Sequence, residues 1–369
     1  MIPAPRHGPP PDASTPRRAS AGDGHRLAFL LGLPTLADNA LWRSARRLGA
    51  PVLLSANALS LWRRDAHGLR HWVGFDRRRL YLVHEHPVAL DSGGYVAAAR
   101  YKGYPWGVRD YMDLCEAAPW RWFAAQDWTC ELEVAPNRAE VLDRISATVR
   151  LYLECSREAR RRGIADRLLP VVQGWFATDY VRCLDRMPDL SGAPVIGVGS
   201  MCRRHVHGEA GLLRIVDTLD RALGDAPMKL HLFGVKTTGM AELRGHPRVA
   251  SFDSQAYGLA SRWQAYKGGF PKTDAYLAGV MTSWYQQQRA LLAAPGFAFR
   301  APTLPLPPRT PEPHGALPPA LARRLDRAAE EMRALFEAGV RYRVFLVLTV
   351  ILAVADETHF RAARDRRRA

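Results

Sequence analysis

The sequence predicts an α/β fold, and specifically a closed (β/α)8 barrel of the TIM type followed by an extra C-terminal helical segment. Short apolar runs recur after residue 26, each followed by turn residues and then by a helical pattern. These runs are continuously apolar rather than alternating, which is typical of parallel strands covered on both faces. Eight such units follow one another, and eight strand–helix units in roughly 250 residues are what a closed barrel requires.

The eight predicted strands are five to seven residues long: LAFLLGL (27–33), PVLLS (51–55), VALDS (88–92), WFAAQD (122–127), LLPVVQG (168–174), PVIGVGS (194–200), KLHLFGV (229–235) and VASFDS (249–254). Apolar residues at helical spacing predict helices over 138–162 and 212–223. A doubly wound sheet is the rival architecture. Its phosphate-binding fingerprint GxGxxG does not follow the first strand, so the barrel is favoured.

Composition divides the chain into four parts. Residues 1–25 are polar and Pro-rich and contain no apolar core of a signal peptide, so we expect a disordered basic arm. The barrel domain is predicted over 26–293, its last part being helical over 260–292 with a break at GGFPK (268–272). A Pro-rich linker (294–319) and a helical and apolar segment with an Arg-rich tail (320–369) complete the chain.

Charge and cysteine content narrow the classes of function. Lys and Arg number 52 against 36 Asp and Glu, a formal charge of +16 that attracts polyanions such as nucleic acid. Five cysteines, an odd number without a CxxC pair, predict a reducing, cytoplasmic location rather than a disulfide framework. The most apolar run, Val344 to Val354, is too short to span a bilayer, so no membrane association is expected.

Polar side chains close five of the predicted strands: Asp91, Asp127, Gln173, Ser200 and Asp253. In a (β/α)8 barrel the carboxyl ends of the strands carry the active site, so we expect these residues to share one pocket. The alternative for any single strand-end Asp is that it caps the helix that follows. Two carboxylates on converging strand ends can supply a nucleophile and a proton carrier, the two services that cleavage of a glycosidic bond requires.

Five of these motifs together resemble the tRNA-guanine transglycosylase superfamily: VALDSGGY, LLPVVQGW, PVIGVGS, KLHLFGV and SFDSQAY. The resemblance keeps the family's order and spacing over roughly residues 27–265, about two thirds of the chain. Within the superfamily, QDWTCELEV and FDSQAYGLASR are most similar to the deazapurine DNA modification protein A branch. That branch places 7-deazaguanine derivatives in DNA rather than in tRNA.

The resemblance implies a role for each matching residue. Asp253 is expected to be the nucleophile, forming a covalent glycosyl ester, and Asp91 the general acid and base. Asp127 is expected to read the guanine edge, while Tyr95 and Phe233 sandwich the base. Ordinary core packing is the alternative for both aromatic residues. The expected substrate-binding set is Ser92, Gly93, Gly94, Tyr95, Asp127, Gln173, Gly174, Gly199, Phe233 and Gly234.

The sequence departs from the tRNA enzymes after the eighth strand. Those enzymes carry a structural zinc site of three Cys and one His there, whereas this chain has no cysteine after Cys202. We therefore expect no zinc subdomain, no metal and no cofactor. The local pattern Cys202-x2-His205-x-His207 lacks a fourth ligand, and a solvated loop is favoured there. The same departure favours DNA over tRNA as the substrate.

The implied function is a pentosyltransferase that replaces guanine in DNA with 7-cyano-7-deazaguanine or a derivative. The same chemistry on tRNA, and a catalytically silent nucleic-acid-binding subunit, are the alternatives. The partners would be DNA, the deazapurine base and an accessory helicase or nuclease-like protein, because a duplex must be opened before a base can react. The predicted nucleic-acid contacts are Arg203, Arg204, Arg262 and Lys267.

Two further sets of residues each allow a second interpretation. Three runs of consecutive arginines (77–79, 160–162 and 366–368) are either solvated faces or nucleic-acid contacts. A tryptophan set is either a wedge for a flipped nucleotide or packing at the barrel rim: Trp106, Trp120, Trp122 and Trp128.

Overall fold

The computed structural model describes residues 27–188 and 190–294. These residues belong to the first of two units into which the chain divides, Met1–Ala301 and Pro302–Ala369. The predictions for the N-terminal arm, the Pro-rich linker and the C-terminal segment lie outside the described residues.

The described residues contain eleven strands: β1 Ala28–Leu33, β2 Val52–Ser55, β3 Ser60–Arg64, β4 Arg70–Phe75, β5 Val88–Asp91, β6 Phe123–Ala124, β7 Leu168–Leu169, β8 Val171–Val172, β9 Val195–Val198, β10 Lys229–Leu232 and β11 Val249–Ser254. Nine of them form one parallel sheet in the order β7-β6-β5-β2-β1-β11-β10-β9-β8. The other two, β3 and β4, form an antiparallel hairpin.

The sheet closes into a barrel through its fifth predicted strand. That strand is split into β7 and β8 by Pro170, which has no N–H to give to a neighbouring strand. β7 pairs with β6 and β8 pairs with β9, while the Pro170 carbonyl accepts a hydrogen bond of 2.8 Å from Gly197. Counting the split strand once gives eight, so the predicted (β/α)8 barrel is confirmed.

Ten helices are described, most of them on the outside of the sheet: α1 Ala40–Arg47, α2 Tyr81–Glu85, α3 Gly94–Val96, α4 Val108–Glu116, α5 Arg138–Arg161, α6 Ala177–Asp185, α7 Leu212–Leu223, α8 Thr237–Leu243, α9 Ala256–Gly268 and α10 Asp274–Ala293. The predicted helices over 138–162 and 212–223 are α5 and α7, and the predicted break at 268–272 separates α9 from α10. Side-chain caps begin several of them; Asn137, for example, accepts the amide of Glu140 at the start of α5. Within the described residues, no helix has the length and apolarity that crossing a membrane requires.

The hydrophobic core has two parts. A large shell lies between the strands and the helices and includes fully buried residues such as Leu54, Leu90 and Val198. A small cluster of Leu30, Leu53 and Ala89 fills the barrel interior. Continuous apolar strands supply both layers, because successive side chains point alternately to the interior and to the helices.

Candidate active site

A cavity of about 230 Å³ opens at the carboxyl ends of the barrel strands. Six of the ten residues predicted to bind substrate line it, together with both predicted catalytic aspartates. The full lining is Leu53, Asp91, Tyr95, Asp127, Thr129, Glu131, Gln173, Gly199, Ser200, Met201, Cys202, Phe233, Gly234 and Asp253. The structure therefore brings together side chains that are up to 200 positions apart in the sequence, as the barrel topology requires.

Asp127 is the most tightly held carboxylate of the cavity. Its Oδ1 accepts a hydrogen bond of 2.9 Å from the Ser92 hydroxyl, and its Oδ2 accepts one of 2.5 Å from Gln173 Nε2. The Tyr104 hydroxyl accepts from the Asp127 amide and lies 3.0 Å from both the Asp127 carbonyl and Ser92 Oγ. Burial raises the pKa of Asp127, while donation from Gln173, Ser92 and Tyr104 acts in the opposite direction.

A chain of donors fixes the orientation of the Gln173 amide. The Cys130 amide donates to Ser200 Oγ, and the Ser200 hydroxyl donates to Gln173 Oε1 at 2.7 Å. The Nε2 group of Gln173 must then face Asp127. Ser200 has a left-handed φ of 55°, an uncommon conformation for a residue with a side chain. A side chain at neighbouring Gly199 would clash, because its Cβ would lie 2.0 Å from Gln173 Nε2.

Asp91 lies at the end of β5 and is partly open to the cavity. Its Oδ2 accepts the Gly93 amide at 3.0 Å, and Gly93 has a left-handed φ of 85° that glycine adopts without strain. Burial, and then repulsion from Asp127 and Asp253, raises the pKa of Asp91 to about 7. A carboxyl group with that pKa can exchange its proton near neutral pH, as a general acid and base must.

Asp253 lies near the end of β11, where its Oδ1 has one hydrogen-bond donor and one close imidazole neighbour. Its Oδ1 accepts the Gly234 amide at 2.8 Å and lies 3.4 Å from Nε2 of His231 on β10. His231 is fully buried, and its Nδ1 lies 2.8 Å from the Ser251 hydroxyl. If Ser251 donates to Nδ1, the imidazole proton sits on Nε2 and faces Asp253. The sequence alone gave no reason to select His231.

The two predicted stacking residues lie on different parts of the cavity wall. Phe233 follows β10 and packs edge-on against His231, with ring centroids 4.5 Å apart, and against Trp122 at 6.1 Å. Tyr95 lies at the open side with 47% of its surface exposed, and the Arg203 guanidinium lies 5.8 Å from its ring centre. Both rings are thus available to a flat ligand, one inside the cavity and one at its mouth.

Four predicted substrate-binding residues lie behind the cavity wall rather than on it. Ser92 is fully buried beneath Asp127, and Gly93 positions Asp91 through its amide. A Cβ on Gly94 would lie 2.6 Å from Asp127 Oδ1, so only glycine permits this close approach. A Cβ on Gly174 would lie 2.6 Å from Asp179, which makes this glycine a packing residue at the start of α6.

The structure changes the interpretation of the predicted arginine contacts. Arg204 is only 6% exposed. Its guanidinium donates to the Tyr180 hydroxyl and to four backbone carbonyls, those of Gly174, Trp175, Ser200 and Ala210. Its donors are used inside the protein, so the prediction that Arg204 touches phosphate does not fit its position. It braces the loop after β9 instead.

The other predicted contacts lie at the surface. Arg203 is paired with Glu131 at 3.4 Å and with Glu133, so its charge is already matched at the cavity rim. Arg262 and Lys267 are exposed on α9, the helix that follows Asp253. Their position leaves both free to meet an anionic ligand.

Tyr104, His231 and Glu131 complete the site and were not anticipated from the sequence. Tyr104 and Glu131 lie outside the predicted strands. His231 lies within one, but a buried His in an apolar strand is usually interpreted as a core residue. In the described part of the chain, no group of three or more His, Cys, Asp or Glu side chains has the arrangement of a metal site. All five cysteines are free thiols.

A closed (β/α)8 barrel that gathers buried carboxylates at the carboxyl ends of its strands has the architecture of a barrel enzyme. The chain belongs to the DpdA family, described as DeoxyPurine in DNA protein A, whose family model matches residues 62–299. The resemblance to the tRNA-guanine transglycosylase superfamily is thereby confirmed. At the level of the family, this supports a transglycosylase-like role in the modification of guanine in DNA.

No curated protein matches the chain. Among solved structures, the YdjI aldolase from Escherichia coli K12 is similar to it at 10% sequence identity and a TM-score of 0.44. The match covers 74% of this chain and 94% of the aldolase chain.

Proposed function

We propose that this protein is a pentosyltransferase that exchanges guanine in DNA for a 7-deazaguanine through a covalent bond to Asp253. The observation that supports the proposal is that three carboxylates in one cavity have three different surroundings. Asp127 accepts one side-chain hydrogen bond at each carboxylate oxygen and keeps further acceptor capacity, burial raises the pKa of Asp91 to about 7, and Asp253 accepts one backbone amide. Different environments give chemically similar groups different roles.

The first step is displacement of the base. A carboxylate oxygen of Asp253 attacks C1′ of a deoxyguanosine and forms an ester to the sugar, while the C1′–N9 bond breaks. The electron pair of that bond leaves with guanine, which takes up a proton. The Gly234 amide donates to Oδ1 of Asp253 and leaves Oδ2 as the oxygen that faces the sugar.

Asp91 manages the proton in both directions. Protonated, it gives its proton to the departing guanine; ionised, it accepts the N9 proton of the incoming deazaguanine. The N9 atom of the incoming base then attacks C1′ and releases the Asp253 carboxylate. The two half-reactions are the reverse of each other, so a single acid–base group with a pKa of about 7 suffices for the cycle.

Asp127 and Gln173 would read the base. A carboxylate accepts hydrogen bonds from the ring N–H and the exocyclic amine of guanine, and the second N–H of Gln173 Nε2, which is not given to Asp127, would donate to the ring carbonyl. Gly199 lies in the cavity wall and would face the base edge and the substituent at position 7, while a side chain there would strike Gln173. Phe233 and Tyr95 would stack on the ring faces.

DNA is the proposed polymer, with Arg262 and Lys267 on α9 as proposed phosphate contacts. A guanine in an intact duplex cannot reach a cavity of this size without leaving the stack, and flipping costs a few kcal/mol. We therefore propose that the substrate is single-stranded or locally opened DNA in the cytoplasm. An accessory helicase or nuclease-like protein would open a duplex substrate.

The covalent intermediate gives the test. Wild-type protein mixed with a guanine-containing single-stranded oligonucleotide and denatured without added free base should yield a protein–DNA adduct, detected by denaturing gel and intact mass. Asp253→Asn should give no adduct and keep the wild-type melting temperature. Asp143→Asn, which removes an exposed carboxylate from α5, is the charge-matched control and should give the wild-type yield. An undiminished adduct in Asp253→Asn would show that another group is the nucleophile.

A further inference from the structure

The hairpin β3–β4 and the turn after it form a basic surface that the proposed mechanism does not use. Residues 60–79, here called the basic hairpin, contain six arginines and two aspartates. Both aspartates are matched locally: Asp65 lies 2.6 Å from His71, and Asp76 lies 2.7 Å from Arg78. The remaining arginines are exposed, and none of them has a carboxylate within 4.0 Å among residues 27–188 and 190–294.

A stack of two aromatic rings, with an arginine at each end, joins the basic hairpin to the barrel. The Arg70 guanidinium lies 5.2 Å from the Trp62 ring centre, and the Trp62 ring lies 4.7 Å from the Tyr101 ring. Arg100 covers Tyr101 at 5.7 Å. A guanidinium that lies over a ring keeps its charge and can still donate N–H groups to phosphate oxygens. The stack therefore orders two exposed arginines without neutralising them.

The basic hairpin follows β2, whose last residue Ser55 pairs with Asp91 on the neighbouring strand β5. Asn57, three residues before it, accepts a hydrogen bond of 3.0 Å from the Tyr101 hydroxyl. The backbone nitrogen of Asn57 also lies close to Gly93, the residue that positions Asp91. A Cβ on Gly93 would be 3.5 Å from that nitrogen and 3.4 Å from the Trp106 ring. At the other end of the hairpin, Phe75 contacts the same Trp106 ring at 5.2 Å. The hairpin is thus anchored to the residues that support Asp91.

We infer that the basic hairpin, together with Arg100, binds the phosphates of the DNA strand that flanks the reacting guanine. The inference rests on the proposed function, because it assumes that the cavity takes a base from a nucleic acid. Charge complementarity favours a polyanion as the occupant, because the surface is cationic and its arginines are exposed. Exposed Leu69 and Val73 on the same hairpin offer apolar contacts to unstacked bases.

The test compares two triple variants with the same loss of charge. The first is Arg63→Ser, Arg70→Ser and Arg100→Ser. The control is Arg150→Ser, Arg182→Ser and Arg214→Ser, three exposed arginines on the outer helices α5, α6 and α7. Binding of a fluorescein-labelled 20-nucleotide single strand is followed by anisotropy between 50 and 200 mM salt, and melting temperatures verify folding.

Each phosphate contact on a single strand contributes about 0.7 to the slope of log K against log salt concentration. The hairpin variant should therefore lose about 2 from the wild-type slope, so that its affinity falls about 16-fold less than that of wild type over the fourfold salt range. The control should keep the wild-type slope. Asp253→Asn should also keep it while failing to form an adduct, which separates failure of this inference from failure of the proposed chemistry.

An unchanged slope in the hairpin variant would overturn the inference and leave the surface to a protein partner. Equal losses in both triple variants would also overturn it, because they would show that the net charge of the protein, rather than this surface, attracts the strand. A wild-type protein that binds no DNA would overturn both the inference and the proposed function.

Discussion

The raised pKa of Asp91 predicts that ionisation of this carboxyl group destabilises the fold as the pH rises toward neutral. Ionising a carboxyl group that is buried beside Asp127 and Asp253 is unfavourable, so the folded chain holds the proton to a pKa of about 7. The unfolded chain releases it near pH 3.9. As pH rises between these two values, the folded state progressively loses stability relative to the unfolded state. Asp91→Asn, which cannot ionise, should escape this loss.

The magnitude follows from the two pKa values. Linkage gives a cost of about 2 kcal/mol at pH 5 and about 4 kcal/mol at pH 8, a difference of about 2 kcal/mol. Asp91 keeps partial access to the cavity, and solvent screening reduces this value. We expect the stability gain of Asp91→Asn at pH 8 to exceed its gain at pH 5 by about 1–2 kcal/mol. The comparison between pH values cancels any constant effect of the amide on packing.

Denaturant unfolding of wild type and Asp91→Asn at pH 5, 6, 7 and 8 measures this difference. The same series on Asp143→Asn controls for removal of one negative charge. If the gain of Asp91→Asn is the same at every pH, or is larger at pH 5, then Asp91 does not hold a proton at neutral pH and its assignment as acid and base fails.

Two further substitutions separate recognition from chemistry. Asp127→Ala should raise KM for free guanine about tenfold to hundredfold, because charge-assisted hydrogen bonds contribute about 1.5–3 kcal/mol. Adduct formation should persist in this variant at high DNA concentration. An unchanged KM would contradict the role of Asp127 in base recognition. His231→Phe should lower kcat about tenfold and leave KM for DNA unchanged, because the imidazole that positions Asp253 is removed. A tenfold loss corresponds to about 1.4 kcal/mol of transition-state stabilisation. His231→Gln, which keeps an N–H donor, should recover part of kcat, and equal losses in both variants would indicate a packing role only.

The barrel could be predicted from the sequence because its signal is repeated. Each strand buried on both faces needs a continuous apolar run, and eight such runs with helical patterns between them leave few other architectures. The hairpin β3–β4 was not predicted, since SLWRR and RHWVGF carry too few apolar residues to stand out. Its stability depends on ring contacts with Tyr101 and Trp106, which are distant in sequence.

The site residues that could be predicted from the sequence are those at the ends of the predicted strands. Asp91, Asp127, Gln173 and Asp253 lie there, and barrel topology brings strand ends together. Sequence could not separate a residue that lines the cavity from one that supports it, because the motif does not show that Tyr95 faces the cavity while Ser92 is buried beneath Asp127. Nor could it show that the Arg204 guanidinium turns inward to backbone carbonyls while its neighbour Arg203 remains at the rim.

Guanine exchange measures the central claim most directly. Protein is incubated with radiolabelled guanine and, in parallel, with single-stranded DNA, duplex DNA and tRNA, and label in the recovered polymer is counted for wild type and Asp253→Asn. The proposed mechanism predicts label in single-stranded DNA with wild type, less in duplex DNA, and none with Asp253→Asn. Label that enters tRNA but no form of DNA would contradict the assignment to DNA, and label that enters DNA equally with Asp253→Asn would contradict the covalent mechanism.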